Sequence, residues 1–252
     1  MTSEMTDREA RAEETYARLF GPRDRSAPDN DPELGRILRT FIFGDVFSTG
    51  DLNDATRELI TVTVLATLNT LTQLKAHTHA ALKVGVTPVE LREAVYQLAP
   101  FIGFPRTLNA VATLNEVFDA LGVPLPLPPQ ATTTDTDRYA RGRTLQEPLY
   151  GTEIADELAD EPLAGAMPRL LTEFLFGDLY SRTGLDLKTR ELLVLCALAT
   201  LGLERQLRPH VTGAIKAGSS RDTVLAALIH CFPYIGFPNA MNAIRVVREV
   251  TQ

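Results

Sequence analysis

The chain repeats itself at a fixed interval of 133 residues. The stretch T-R-E-L-I-T-V-T-V-L-A-T-L-N-T-L-T-Q-L-K-A-H at 56–77 returns as T-R-E-L-L-V-L-C-A-L-A-T-L-G-L-E-R-Q-L-R-P-H at 189–210. Glu58 recurs as Glu191, Gln73 as Gln206 and His77 as His210. F-I-F-G-D at 41–45 recurs as F-L-F-G-D at 174–178, and I-G-F-P-R-T-L-N-A at 102–110 as I-G-F-P-N-A-M-N-A at 235–243. A length of 252 residues allows one large domain or two ordinary ones. The repeat decides for two copies of one unit.

Within each copy the pattern is helical. Residues 4–20 form a charged helix stopped by Gly21-Pro22. Leu34, Ile37, Leu38, Phe41, Ile42 and Val46 predict a second helix with one buried stripe, broken by Gly50. Asn53 or Asp54 caps a third helix that is apolar on all sides and belongs at the centre of its domain. Asn69-Thr70 breaks the chain, and a helix over 73–84 ends at Gly85. Thr87-Pro88-Val89-Glu90 starts the next helix, with Thr as N-cap and Glu three residues on. A last helix covers 106–121, and the pattern restarts at 138–150. The Pro- and Thr-rich residues 122–137 read as a linker. The expected fold is all-α: two tandem six-helix domains, 1–121 and 138–252, packed as a pseudo-dimer.

The net charge of −7 argues against a nucleic-acid footprint, which needs clustered Lys and Arg. Cys196 and Cys231 sit in apolar runs and read as buried thiols, not a disulfide. No signal peptide and no apolar run long enough to span a bilayer is evident, so no membrane is expected and the location reads as cytoplasmic.

The candidate chemistry lies in the repeated polar triplet. A helical hairpin turning near Asn69 brings Glu58 toward His77, and the same turn brings Glu191 toward His210. A carboxylate can hold an imidazole in one tautomer, and the imidazole then gives or takes a proton near neutral pH. Gln73 precedes His77 by one turn, as Gln206 precedes His210, and can donate to or accept from a substrate oxygen. The plainer reading makes Glu58 a first-turn helix acid and His77 a core histidine. Arg57 and Arg190, beside the glutamates, read either as clamps for a substrate carboxylate or as structural ion pairs. His79 and His230 do not recur and read as incidental; His77-x-His79 is poor spacing for a metal, and no metal site is expected. Asn109 and Asn242 read as caps or inter-helix hydrogen bonds, and Phe104 and Phe237 as pocket wall or core.

The series F-G-D-V-F-S, T-R-E-L, A-T-L, Q-L-K-A-H, I-G-F-P and L-N-A resembles the carboxymuconolactone decarboxylase family, and F-G-D-L-Y-S, T-R-E-L and H-V-T-G-A-I-K-A-G resemble it again. The resemblance implies an all-helical protein working in oligomeric rings, here a trimer of two-domain chains. It implies cofactor-free decarboxylation of 4-carboxymuconolactone in aromatic catabolism, or thiol peroxidation by a Cys-x-x-Cys pair. The pair would fall at Thr70 and Gln73, and at Leu203 and Gln206, so both cysteines are missing twice. A thiol peroxidase is thereby set aside. Decarboxylase-like members often carry an acid where Gln73 and Gln206 stand, which leaves His77 and His210 as proton donors. The resemblance thus implies a cofactor-independent lyase acting on a small carboxylated lactone or enolisable acid. A biosynthetic isomerase or cyclase, and a non-catalytic binding or assembly protein, are the alternatives.

Overall fold

A computed structural model of the chain describes residues 6–23, 30–151 and 161–252, and among them there is no β-strand. The first half contains α1 (Asp7–Phe20), α2 (Pro32–Arg39), α3 (Asp54–Leu68), α4 (Leu71–Lys83), α5 (Pro88–Tyr96), the short α6 (Ala99–Ile102) and α7 (Phe104–Ala120). The second contains α8 (Arg138–Tyr150), α9 (Ala166–Leu171), α10 (Leu187–Leu201), α11 (Glu204–Lys216) and α12 (Arg221–Val250). Two tandem all-helical units are therefore present, with α3 and α10 packed against each other at the centre.

The local signals account for the ends of these helices. Thr6 and Thr87 each close a capping box with a glutamate three residues on. The Asn53 side chain accepts from the Thr56 amide at the start of α3, and Asp186 accepts from Thr189 at the start of α10. Asn69 ends α3 at φ 59°, where Gly202 ends α10 at φ 68°. α12 is one continuous run only in outline: Gly236, at φ 76°, breaks it where Gly103, at φ 78°, separates α6 from α7.

Two expectations change. Residues 34–46 are not one amphipathic helix: α2 runs on into wider π-type turns at Thr40–Val46. Each wide turn adds a residue to the ring and rotates the residues beyond it about the helix axis. Val46 is buried as expected and Phe43 faces the core with it, while Leu34, Ile37 and Leu38 are 64%, 55% and 47% exposed. The second change concerns apolar length. α12 contains an 18-residue window of mean hydropathy 1.4, enough by length and composition to cross a membrane. In this fold it packs on α3, α10 and α11.

Residues 122–137 carry no helix, yet they are tied to both halves. Arg92 donates to the carbonyls of Leu127 and Pro128, while the Thr132 and Thr133 hydroxyls donate to the carbonyls of Ser181 and Gly177.

Candidate active site

Glu58 lies in the second turn of α3 and His77 in the second turn of α4, and the αL turn at Asn69 folds one helix back on the other. His77 Nδ1 and Glu58 Oε2 come to 2.8 Å. The carboxylate is fully buried and the imidazole nearly so. A carboxylate accepts only, so Nδ1 carries the proton and Nε2 is left to exchange one with a substrate. Nε2 makes no hydrogen bond among the described residues. The other glutamate oxygen, Oε1, is buried without a partner, an uncommon condition for a carboxylate.

Aromatic rings close the pocket around His77. Phe20, the last residue of α1, meets the imidazole edge-on at 5.3 Å between centroids. Tyr234, from α12 of the other half, meets it at 6.0 Å. The hydroxyl of Tyr234 lies 3.5 Å from Thr61 Oγ1. Burial, and then the charge of Glu58, push this phenol above its ordinary pKa, so it stays protonated.

The second half repeats the pair with a difference. His210 Nδ1 lies 3.2 Å from Glu191 Oε2. Tyr150, the last residue of α8, puts its hydroxyl between them. It donates to Glu191 and lies 2.7 Å from His210 Nδ1. Burial and the Glu191 charge raise this phenol too. The ring contributed by the opposite half is here Phe101, at 5.7 Å from His210. Each histidine is thus flanked by one phenylalanine and one tyrosine, with the hydroxyl on opposite sides in the two halves.

Sequence reading brought Glu58 to His77 and Glu191 to His210, and the geometry agrees. The arginines are placed elsewhere. Arg57 is 1% exposed. Its Nε and two Nη groups point at the carbonyls of Leu52, Val46, Thr49 and Gly50 and at His230. With every donor directed inward, it is no clamp for a substrate carboxylate. Arg190 is equally buried, against Glu93, Gln97 and the carbonyls of Arg182 and Thr183. Arg190 makes the structural ion pair, with Glu93, while Arg57 is held by carbonyls and His230 with no carboxylate among these partners. Gln73 and Gln206 are exposed, one turn before their histidines.

The residues that reading missed are aromatic or unrepeated. Tyr150 falls outside the interval of 133 and aligns at that offset with Ala17. The available signal was the glycine after it: Phe20-Gly21 and Tyr150-Gly151 both end a helix at positive φ. His230, which does not recur, has a structural place. It is wholly buried between Arg57 and Thr61, with Nε2 3.0 Å from Thr61 Oγ1. Asn109 makes the expected inter-helix bond, donating to Asn69 Oδ1. Cys196 and Cys231 are buried free thiols. Phe104 and Phe237 are exposed by 57% and 65%. Phe104 lines an apolar groove of about 590 Å³ with Pro100, Phe101, Met167, Leu170 and Phe174, and neither site histidine lines it. Among the described residues no group of three or more His, Cys, Asp or Glu is placed to hold a metal ion.

Known proteins resemble this chain in sequence and fold. The sequence profile of the Carboxymuconolactone decarboxylase family matches residues 32–116 and again 165–249. The chain is 26% identical over 118 residues to the 4-carboxymuconolactone decarboxylase of Acinetobacter baylyi, across 46% of this chain and 88% of that one. It is 29% identical over 113 residues to the nitrosuccinic acid decarboxylase of Metarhizium robertsii, across 44% of this chain and 79% of that one. A crystal structure from Burkholderia xenovorans, described as a gamma-carboxymuconolactone decarboxylase subunit, superposes with a TM-score of 0.57 at 22% identity, covering 98% of each chain. That likeness concerns the fold. The two profile matches keep the interval of the internal repeat and cover both helical hairpins that carry the Glu–His pairs, so the chain belongs to the carboxymuconolactone decarboxylase family.

Proposed function

We propose that this protein is a cofactor-independent lyase that removes CO2 from, or protonates, a small carboxylated lactone or enolisable acid. The observation that carries the reading is the 2.8 Å contact of His77 Nδ1 with Glu58 Oε2, with Nε2 uncommitted. Two relatives named for the loss of a carboxyl group, on different substrates, support the reaction class.

The chemistry is balanced by one proton. The bond from carbon to the carboxylate breaks, CO2 departs, and the electron pair spreads onto an adjacent carbonyl as an enolate. A proton from Nε2 of the protonated imidazole then forms the new C–H bond. Water restores the imidazole, so the sum is a carboxylate and a proton giving CO2 and the C–H product. Glu58 holds the ring and stabilises its charged form. Gln73, and in the other half Gln206, hydrogen-bond a substrate oxygen from the exposed rim. His210 and Glu191 form the second such pair. The apolar surroundings favour departure of a charged carboxylate by replacing its water.

A homo-oligomer, three two-domain chains, and a cytoplasmic location belong to the same reading. The exposed Leu34, Ile37, Met167 and Leu170 are the surface such an assembly would cover. Light scattering on the purified chain measures its mass directly.

The test of activity is CO2 release and ultraviolet change on 4-carboxymuconolactone. His77→Ala together with His210→Ala should lower the rate by about 10²–10⁴-fold. An unchanged rate in the double variant removes both histidines from the reaction. Absence of turnover in the unaltered protein removes this substrate.

A further inference from the structure

Besides Phe101 in place of Tyr234 and Tyr180 in place of Phe47, the two sites of one chain differ by a matched pair of residues. Tyr150 stands where the first half has Phe20. Both end the first helix of their half, both precede a positive-φ glycine, and their rings lie 5.1 and 5.3 Å from their histidines. Each ring also touches the equivalent phenylalanine, Phe176 at 5.7 Å and Phe43 at 5.8 Å. The second member of the pair is Gly213, in the middle of α11, at the place of the buried Ala80 in α4. A Cβ at 213 would lie 2.7 Å from the Tyr150 hydroxyl and 2.8 Å from Glu191 Oε2. Cβ atoms essentially never come so close, so a side chain at 213 would displace the Tyr150 hydroxyl, the Glu191 carboxylate or both. A mid-helix glycine costs about 1 kcal/mol relative to alanine, and accommodating this hydroxyl is a packing reason for it.

The hydroxyl rewires the second site. A phenol has one proton, and the adjacent carboxylate can only accept, so Tyr150 donates to Glu191. Its oxygen then receives Nδ1–H of His210 at 2.7 Å, closer than the 3.2 Å to Glu191 itself. In the first half the carboxylate touches the imidazole directly. A hydrogen bond to an ionised acceptor is about twice as strong as one to a neutral acceptor.

We propose that Tyr150, admitted by Gly213, is a positioning residue that makes His210 a relayed histidine, so that proton transfer runs faster at His77 than at His210. This rests on the acid–base reading above and adds which half carries the reaction and what sets the difference.

The experiment exchanges the pairs within the full chain. Y150F/G213A copies into the second half a packing that Phe20 and Ala80 already make in the first, which protects it against failure to fold. In a His77→Ala background, Y150F/G213A should raise the residual turnover of 4-carboxymuconolactone about tenfold. In a His210→Ala background, the reverse exchange F20Y/A80G should lower turnover by a similar factor. No change in either background, or changes of the opposite sign, would overturn the proposal.

A readout independent of substrate is the Nδ1–H resonance of each imidazole in proton–nitrogen spectra of the full chain. His77 should show the more downfield signal, as expected of a proton shared with a carboxylate, and Y150F/G213A should move the His210 signal to the same region. A His210 signal unmoved by the exchange, or coincident with that of His77 from the start, sinks the relay. If no variant turns over the lactone, the substrate assignment fails, and the imidazole signals alone decide for or against the relay.

Discussion

Arg190 of the second half donates to Glu93 of the first across 3.2 Å, and both side chains are buried. Arg182 makes a second, bidentate contact with the same carboxylate, at 2.8 and 2.9 Å. The pseudo-equivalent Arg57 faces backbone carbonyls and His230 instead, with no carboxylate among these partners. The interface between the halves therefore holds ion-paired arginines on one side of the pseudo-axis and, on the other, an arginine held by carbonyls and a histidine.

Removing Glu93 leaves Arg190 and Arg182, with Arg92 at 3.9 Å from the same carboxylate, without that counter-charge. Breaking a buried ion pair on one side costs about 3–5 kcal/mol. Glu93→Ala should lose stability of that order in urea unfolding. A loss below about 1 kcal/mol, the range of exposed pairs, would show that water reaches the cluster.

His230 makes stability depend on pH. Burial first, and the charge of Arg57 second, lower its pKa from the ordinary 6.5 to about 3. Below pH 6.5 the unfolded chain takes up a proton that the folded chain refuses until about pH 3. This contribution to stability is complete above that window and is lost as pH falls through it, by up to about 1.4 kcal/mol per pH unit. His230→Gln, with the residue found at the equivalent Gln97, should flatten the slope of stability between pH 6 and pH 4. An identical slope in the variant would assign the acid sensitivity to other groups.

In the proposed reaction the carboxylate of Glu58 acts through charge as well as position. Glu58→Gln keeps a hydrogen-bond acceptor and removes the charge, a difference of about 1–2 kcal/mol. Decarboxylation should slow roughly tenfold, mainly in kcat, because the imidazolium is the form that loses support. A change confined to KM would make Glu58 a substrate-binding group instead.

Gly44 allows α1 to cross the π-type turns closely. A Cβ there would lie 2.8 Å from the Arg8 carbonyl oxygen, and backbone cannot swing aside. Gly44→Ala should destabilise by about 1–3 kcal/mol through overpacking. Unchanged thermal unfolding would mean that α1 can lift from the core at little cost.

Much of this molecule is set by local chemistry along the chain. The interval of 133 residues separates the two units. Capping residues such as Thr87 with Glu90 start helices wherever they occur, because the unpaired amides of a first turn need acceptors. The apolar run from Leu59 to Leu68 has no polar face to give to water, so α3 is central. Glu58 and His77 meet because a hairpin at Asn69 is a local event, and the same register repeats at Glu191 and His210.

What depended on tertiary structure involves partners far apart in sequence. Arg57 looks available beside Glu58 until a loop at 46–52 and a helix from the other half surround it. Leu34, Ile37 and Leu38 have the periodicity of a buried stripe, but the wide turns after Arg39 rotate the core-facing side onto Phe43, with Val46 buried as expected. Tyr150 escapes the repeat because the first helix of the second half is offset differently from the rest. Its contact with Glu191 also requires a missing side chain at Gly213. Periodicity reports which face of a helix is apolar; it carries no information on which distant atom will stand about 3 Å away, at hydrogen-bond range. That is settled when the helices pack, and the difference between the two sites arises there.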